Sequence, residues 1–180
     1  MLDVGCGAGR VALYLQERGH EVVGIDLSPL AVEVSRRRGV RDASELPVTR
    51  VSRELGRFDT IVMFGNNFGL MGSRRRAPWL LRRFRSIANE SARILAESVN
   101  PYKTDNPAHL AYHERNRRRG RMAGQLRIRI RYQEYKTPWF DYLLASPEEM
   151  AELAEGTGWE LRRVIDEGEH VYVGVLERVR

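Results

Sequence analysis

No stretch narrows the possible folds as much as the opening "LDVGCGAGR". An apolar run through Val4 stops at Gly5 and reads as a buried strand. Gly5, Gly7 and Gly9 follow at alternate positions, and "RVALYLQERG" then reads as a helix closed by Gly19. A strand, a tight loop and a helix in that order commit the chain to a layered α/β arrangement. Glycines let the loop backbone approach a ligand closely, and the N-terminus of the next helix favours negative charge.

The alternation continues. "HEVVGIDLS" predicts a second strand, with Ser28 as N-cap and Pro29 in the first turn of a helix over "LAVEVSRRRG". "VRDASELP" predicts a short third strand and a loop, and "RFDTIVMFG" a fourth strand. "APWLLRRFRSIANES" fits a helix and "ARILAESV" a fifth strand. Near the end, Ser146 and Glu149 form a capping box ahead of a helix, with Pro147 in its first turn and Gly156 or Gly158 as its stop. "WELRRVID" and "EHVYVGVLERV" then alternate as an antiparallel pair about Gly168. The expectation is one doubly wound α/β domain over residues 1–180, its parallel sheet closed by an antiparallel last strand.

Residues 101–145 break this rhythm and read as a β-rich insertion. "QLRIRIRYQEY" alternates strictly, with Leu126, Ile128, Ile130 and Tyr132 on one face and Arg127, Arg129 and Arg131 on the other. That arginine face could receive an anion, or could be a solvated edge. The insertion follows the fifth strand, so it is expected over the carboxyl edge of the sheet, where it would cover an acceptor site.

Composition excludes several classes. Net charge is +6, but of 30 cationic residues only Lys103 and Lys136 are lysine. So general an arginine preference argues against a dedicated nucleic-acid patch, and the runs Arg36–Arg38, Arg74–Arg76 and Arg117–Arg119 read as solvated faces. Cys6 is the sole cysteine, which excludes an internal disulfide framework and suits a reducing cytoplasm. No apolar run is long enough to span a membrane, and no secretory leader pattern is present.

The loop departs from the dinucleotide fingerprint. The pattern is G-x-G-x-G, and the sixth position is Arg10, where that fingerprint needs a small residue for close helix–strand packing. Three acids accompany it. Asp3 lies inside the first strand, where a carboxylate is costly unless partnered. Asp26 closes the second strand, where an acid can accept both hydroxyls of a ribose. Asp42 and Ala43 are expected to close the third strand on the same rim.

Taken in order, "LDVGCGAGR", "GIDLSP", "RDASELP" and "FDTIVMFGNNFG" resemble the class I S-adenosylmethionine-dependent methyltransferases. The terminal helix and hairpin are similar to that family's reversed last strand. The resemblance implies a Rossmann-like seven-stranded sheet and S-adenosylmethionine as cofactor, with S-adenosylhomocysteine as product. It implies that Asp3 and the backbone of Gly5, Cys6, Gly7 and Gly9 face the methionine part. Asp26 would bind ribose, Leu27 would pack on adenine, and Asp42 and Ala43 would meet the adenine edge. Phe64, Gly65 and Asn66 would line the sulfonium and the acceptor. Relatives place helices before the first strand, and here none precede it. The natural protein is then longer, or the gap is covered by the insertion or by a second subunit, with a homodimer or an open cofactor cleft as the expectation.

Methyl transfer from a sulfonium needs alignment and exclusion of water more than a fixed catalytic group. Asn66 and Asn67 are candidates to orient an acceptor. His109 and His113, at i and i+4, are candidate bases or one solvated helix face. Tyr112, Tyr132 and Tyr142 could shape an aromatic pocket, and Asp141 and Glu97 are further candidates. No metal is expected. "GNNFG" lacks the Asn/Asp-Pro-Pro-aromatic signature of many amino-group methyltransferases acting on nucleic acid or protein, which favours a small-molecule acceptor. The alternatives are an RNA or protein methyltransferase and a non-catalytic binding or scaffold subunit.

Overall fold

The computed structural model describes residues 1–166, 168 and 170–179. Five parallel strands come first: β1 (Leu2–Val4), β2 (Val23–Asp26), β3 (Asp42–Glu45), β4 (Phe58–Met63) and β5 (Ala88–Val99). The helices between them are α1 (Arg10–Glu17), α2 (Pro29–Arg37) and α3 (Arg76–Ser86). The insertion holds α4 (Pro107–Arg118), β6 (Gln125–Ile128), β7 (Arg131–Tyr132), β8 (Tyr135–Lys136) and β9 (Phe140–Leu143). The chain then forms α5 (Pro147–Ala154), β10 (Trp159–Asp166) and β11 (Val171–Arg178).

The main sheet runs β10-β11-β5-β4-β1-β2-β3, with β11 antiparallel to both neighbours. The chain winds outward from β1 to β3, then returns to the other side of β1 at β4. The crevice beside β1 is therefore the topological switch point, where open α/β sheets bind ligands at the carboxyl ends of their strands.

Strand alternation sets what faces where. Leu2 and Val4 enter the large core with Phe68, Phe84, Leu80 and Leu143, while a smaller cluster joins Ala12, Val22, Val32, Val40 and Ala43. The caps are as expected: Ser28 Oγ accepts from Ala31 N at 3.3 Å, and Ser146 and Glu149 close a reciprocal capping box.

Two boundaries differ from the sequence expectation. The segment "IANES" belongs mostly to β5, because α3 stops at Ser86 and Ala88 pairs with Phe58 across the sheet. "QLRIRIRYQEY" is not one strand. β6 pairs with β9, and the chain then folds back through the β7–β8 hairpin, with Gln133 at φ 51°. Ile130 is consequently 61% exposed, and the three arginines do not share a strand. Arg127 lies 3.6 Å from Asp141, and the Arg129 guanidinium sits 4.9 Å from the Trp139 ring centroid. The side chain of Tyr132 lies outside the described residues.

Candidate functional site

Two loops meet at the switch point. The first is the glycine loop after β1. Gly5 N and Cys6 N both donate to Ile25 O, at 2.8 and 3.0 Å, which ties the loop to β2. Gly7 N donates to Asp26 Oδ2 at 2.9 Å, and Ser28 N to Asp26 Oδ1 at 2.8 Å. Asp26 thus braces the loop, and each oxygen keeps a further lone pair. The glycines do different jobs. A Cβ on Gly9 would stand 2.6 Å from Ser35 Oγ and Val40 Cγ2, so α2 packs there only because the side chain is absent. A Cβ on Gly7 would meet nothing within 4 Å, so this position opens onto free space. Leu27, beside the acid, is 69% exposed.

Asp3 lies beneath this loop, buried, with a hydrogen bond from the Ala12 backbone and with Oδ2 lacking any hydrogen-bond partner. Burial pushes its carboxyl up to about 6, and the Ala12 bond and the Arg10 charge only partly oppose this. Cys6 is also buried. Its thiol is pushed up to about 12, first by burial and then by Asp3 and Asp26, so it is not a nucleophile at neutral pH.

The second loop follows β4 and runs from Phe64 to Gly72. Glu97, near the end of β5, accepts from Gly65 N at 3.1 Å and Asn66 N at 2.8 Å, one oxygen to each. From the other side Tyr142 of β9 donates its hydroxyl to Asn66 O. Asn66 is held between them in the left-handed region, at φ 63°, with its Oδ1 buried and unpartnered. Burial, then the nearby Glu97 charge, pushes the Tyr142 hydroxyl up to about 12, so it stays a donor. The Asn67 amide nitrogen donates to Val4 O and Gly5 O, both at 2.9 Å, and so bolts the second loop to the first.

Several candidates fall elsewhere. Asp42 is level with Val23 at the start of β3, and Glu45 is level with Asp26. Asp42 and Ala43 therefore lie at the amino end of their strand, not on the carboxyl rim. The resemblance of "DASELP" to a rim motif is shifted by three residues, because strand pairing sets the register. Ala43 O instead accepts from the Arg36 guanidinium at 2.6 and 2.9 Å. Asn67 spends its amide on backbone, which makes it a brace and not a group free to orient an acceptor. His109 pairs with Thr104 Oγ1 at 3.0 Å. His113 is buried against the Tyr102 ring, and burial, then Arg117 and His109, lowers its affinity for protons. The described contacts of both histidines stay within the 102–117 region and Glu149, away from Asn66. Among the described residues no cluster of His, Cys, Asp and Glu could hold a metal ion. Glu97 had only its place at the end of the fifth strand to recommend it in the sequence, and Tyr142 its aromatic ring beside an apolar strand.

A family model described as a methyltransferase domain matches residues 1–90. Over the whole fold, the chain is 30% identical to a S-adenosylmethionine-dependent methyltransferase from Bacteroides fragilis crystallised with S-adenosyl-L-homocysteine. The likeness covers 99% of this chain and 72% of that one, with a TM-score of 0.82. The chain belongs to the S-adenosylmethionine-dependent methyltransferases. Its first half carries the recognisable sequence. The chain is 35% identical over 69 residues to the 2-heptyl-1-hydroxyquinolin-4(1H)-one methyltransferase of Mycobacteroides abscessus, over 38% of this chain and 29% of that protein. It is 39% identical over 54 residues to the ubiquinone biosynthesis O-methyltransferase of Alkalilimnicola ehrlichii, over 30% of this chain and 22% of that one. The methyltransferase chain thus spans less than a third of the length of these two curated relatives. Among the described residues no helix is long and apolar enough to cross a membrane.

Proposed function

We propose that the chain binds S-adenosylmethionine along the glycine loop and Asp26 and transfers its methyl group to a small molecule held at the Phe64–Gly72 loop. The supporting observation is the direct bolt between the two loops through Asn67, which fixes cofactor side and acceptor side as one unit. The residues present suit the cofactor. Gly7 opens onto free space, Asp26 keeps unused lone pairs, Leu27 offers an apolar face, and Asp3 Oδ2 is buried without a partner. Asp26 would hold the ribose, Leu27 the adenine, and Asp3 with Gly5, Cys6, Gly7 and Gly9 the methionine part. When bound, the cofactor supplies an electrophilic methyl on a sulfonium, so its leaving group needs no proton.

The chain's own residues then align the acceptor. Asn66, clamped by Glu97 and Tyr142, presents a fixed loop edge, with Phe64 and Gly65 beside it. The insertion over 101–145, through β9, walls this side. The Phe64–Gly72 stretch holds no titratable side chain. Glu97 is committed to the Gly65 and Asn66 N–H groups, and Tyr142 donates. On this reading the acceptor atom arrives as a nucleophile after losing its own proton, as a phenolate, a thiolate or a neutral amine. Arg121 and Arg127 of the insertion both pair with Asp141, at 3.2 and 3.6 Å, so they are not a free basic track for RNA.

An acceptor screen tests this reading. Phenols, thiols, amines, a short RNA and a basic peptide are offered with S-adenosylmethionine, and S-adenosylhomocysteine release is followed. Turnover is expected with a small molecule, with a pH profile whose break moves with the acceptor's own pKa. Turnover of RNA or peptide alone would overturn the small-molecule reading. Cofactor binding with no turnover of any acceptor would favour a scaffold role.

A further inference from the structure

The amino-terminal edge of the parallel strands, opposite the two loops, holds a different feature. There α3 ends, β10 begins and β11 finishes, and between them lies a cavity of about 500 Å³. It is lined by Arg82, Arg85, Gly156, Thr157, Gly158, Trp159 and Val179, with no acidic side chain among the described lining residues.

Arg85 is seated in this cavity by the backbone. A Cβ at Gly158 would overlap the Arg85 side chain at Nε, so the glycine, at φ 86°, makes room for the guanidinium to lie across the turn after α5. One of its terminal nitrogens, Nη1, is buried with no hydrogen-bond partner among the described residues. A buried cationic donor left unpaired is costly. Arg82 is three residues earlier on α3, on the same helix face. Among the described residues it forms no ion pair, and its like charge adds to that of Arg85. Other arginines near this edge are differently employed. Arg53 donates to Ser86 O, Arg57 and Arg178 to Ala88 O, and Arg83 to Val51 O. Arg82 and Arg85 are the charged side chains among the described lining residues.

We propose that this cavity is a binding site for a small phosphate-type oxyanion, gripped by the Arg85 and Arg82 guanidinium groups, on the edge of the sheet remote from the methyl-transfer loops. A guanidinium presents its donors in a planar fork that matches two oxygens of a phosphate, and an anion between the two arginines offsets the repulsion of their like charges. A free phosphate ion and the terminal phosphate of a larger metabolite offer the same chemistry. The inference does not depend on the acceptor's identity.

The test is a titration of the full chain with inorganic phosphate, read by ¹H–¹⁵N spectra that include the arginine Nε–H signals, at low salt and again in sodium chloride. Parallel titrations with a nucleoside 5′-monophosphate and with a phosphate-free nucleoside separate the two sources. Saturable shifts are expected at the Arg85 Nε–H and around Gly156–Trp159. Arg85→Gln should weaken binding at least tenfold and Arg82→Gln several-fold, while Arg37→Gln on α2 leaves it unchanged. If Arg85→Gln fails to fold, Arg82→Gln and Arg85→Lys decide the matter, because a point charge on a shorter reach still loses the fork. Shifts that fail to saturate, or that persist undiminished in the Arg82 and Arg85 variants, overturn the site.

Discussion

Asp3 shows most sharply how a single residue can be tuned against stability. Its folded carboxyl titrates at about 6, above its ordinary 3.8, because burial disfavours the charge. Between pH 3.8 and about 6 the native state therefore holds a proton that the unfolded chain has already released. Stability contributed by the protonated form is present below the unfolded value and is lost as pH rises toward 6, by roughly 3 kcal/mol in all. Asp3→Asn should accordingly raise the melting temperature at pH 7.5 and change it little at pH 4. If the variant melts lower at both, the unpartnered oxygen is not the strain inferred here. The place of Asp26 at the end of β2 was legible in the sequence, since an apolar run closes on it. What could not be read is that it also accepts from Gly7 N and Ser28 N. Asp42 misled for the opposite reason: its local motif looked right, but β2–β3 pairing places Glu45 at the rim instead.

Among the elements, the contact between β9 and the loop after β4 carries the acceptor side. A Cβ on Gly69 would overlap the Tyr142 ring, and Gly69 does not have a positive φ, so the obstacle is purely steric. Gly69→Ala should push β9 away from the loop and destabilise the fold by about 1–3 kcal/mol, measured by urea unfolding. A loss below a few tenths would mean that β9 shifts freely. Glu97→Gln keeps an acceptor for only one of the Gly65 and Asn66 N–H groups. Turnover should fall by tenfold or more while S-adenosylhomocysteine affinity changes less than threefold, because the glycine loop is braced separately. Equal losses in both would show that the loops do not divide the work. The helices and caps at this scale were legible because Ser28, Pro29, Ser146 and Glu149 act within a few residues. The break in "QLRIRIRYQEY" was not, since β6 chose β9 as partner over a continuation of its own alternation.

Across the whole molecule, the alternation of strands and helices and the reversed terminal hairpin announced the seven-stranded sheet, because connection rules leave few ways to wind such a chain. The interior contacts of the insertion were hidden, being set by distant pairings such as Tyr142 with Asn66. The sheet separates two chemistries. Its carboxyl edge carries Asp3, Asp26 and Glu97 around the two loops, and its amino edge carries Arg82 and Arg85 beside the cavity below α3. The central assignment is that the carboxyl edge holds S-adenosylmethionine through Asp26. Calorimetry of the full chain with S-adenosylhomocysteine, beside the Asp26→Ala variant, tests it most directly. Charge-assisted hydrogen bonds are worth about 1.5–3 kcal/mol each. One-to-one binding is therefore expected for the natural sequence, weakened at least tenfold in a variant that still melts cooperatively. Absence of binding to the natural sequence, or equal affinity in a folded variant, would contradict it.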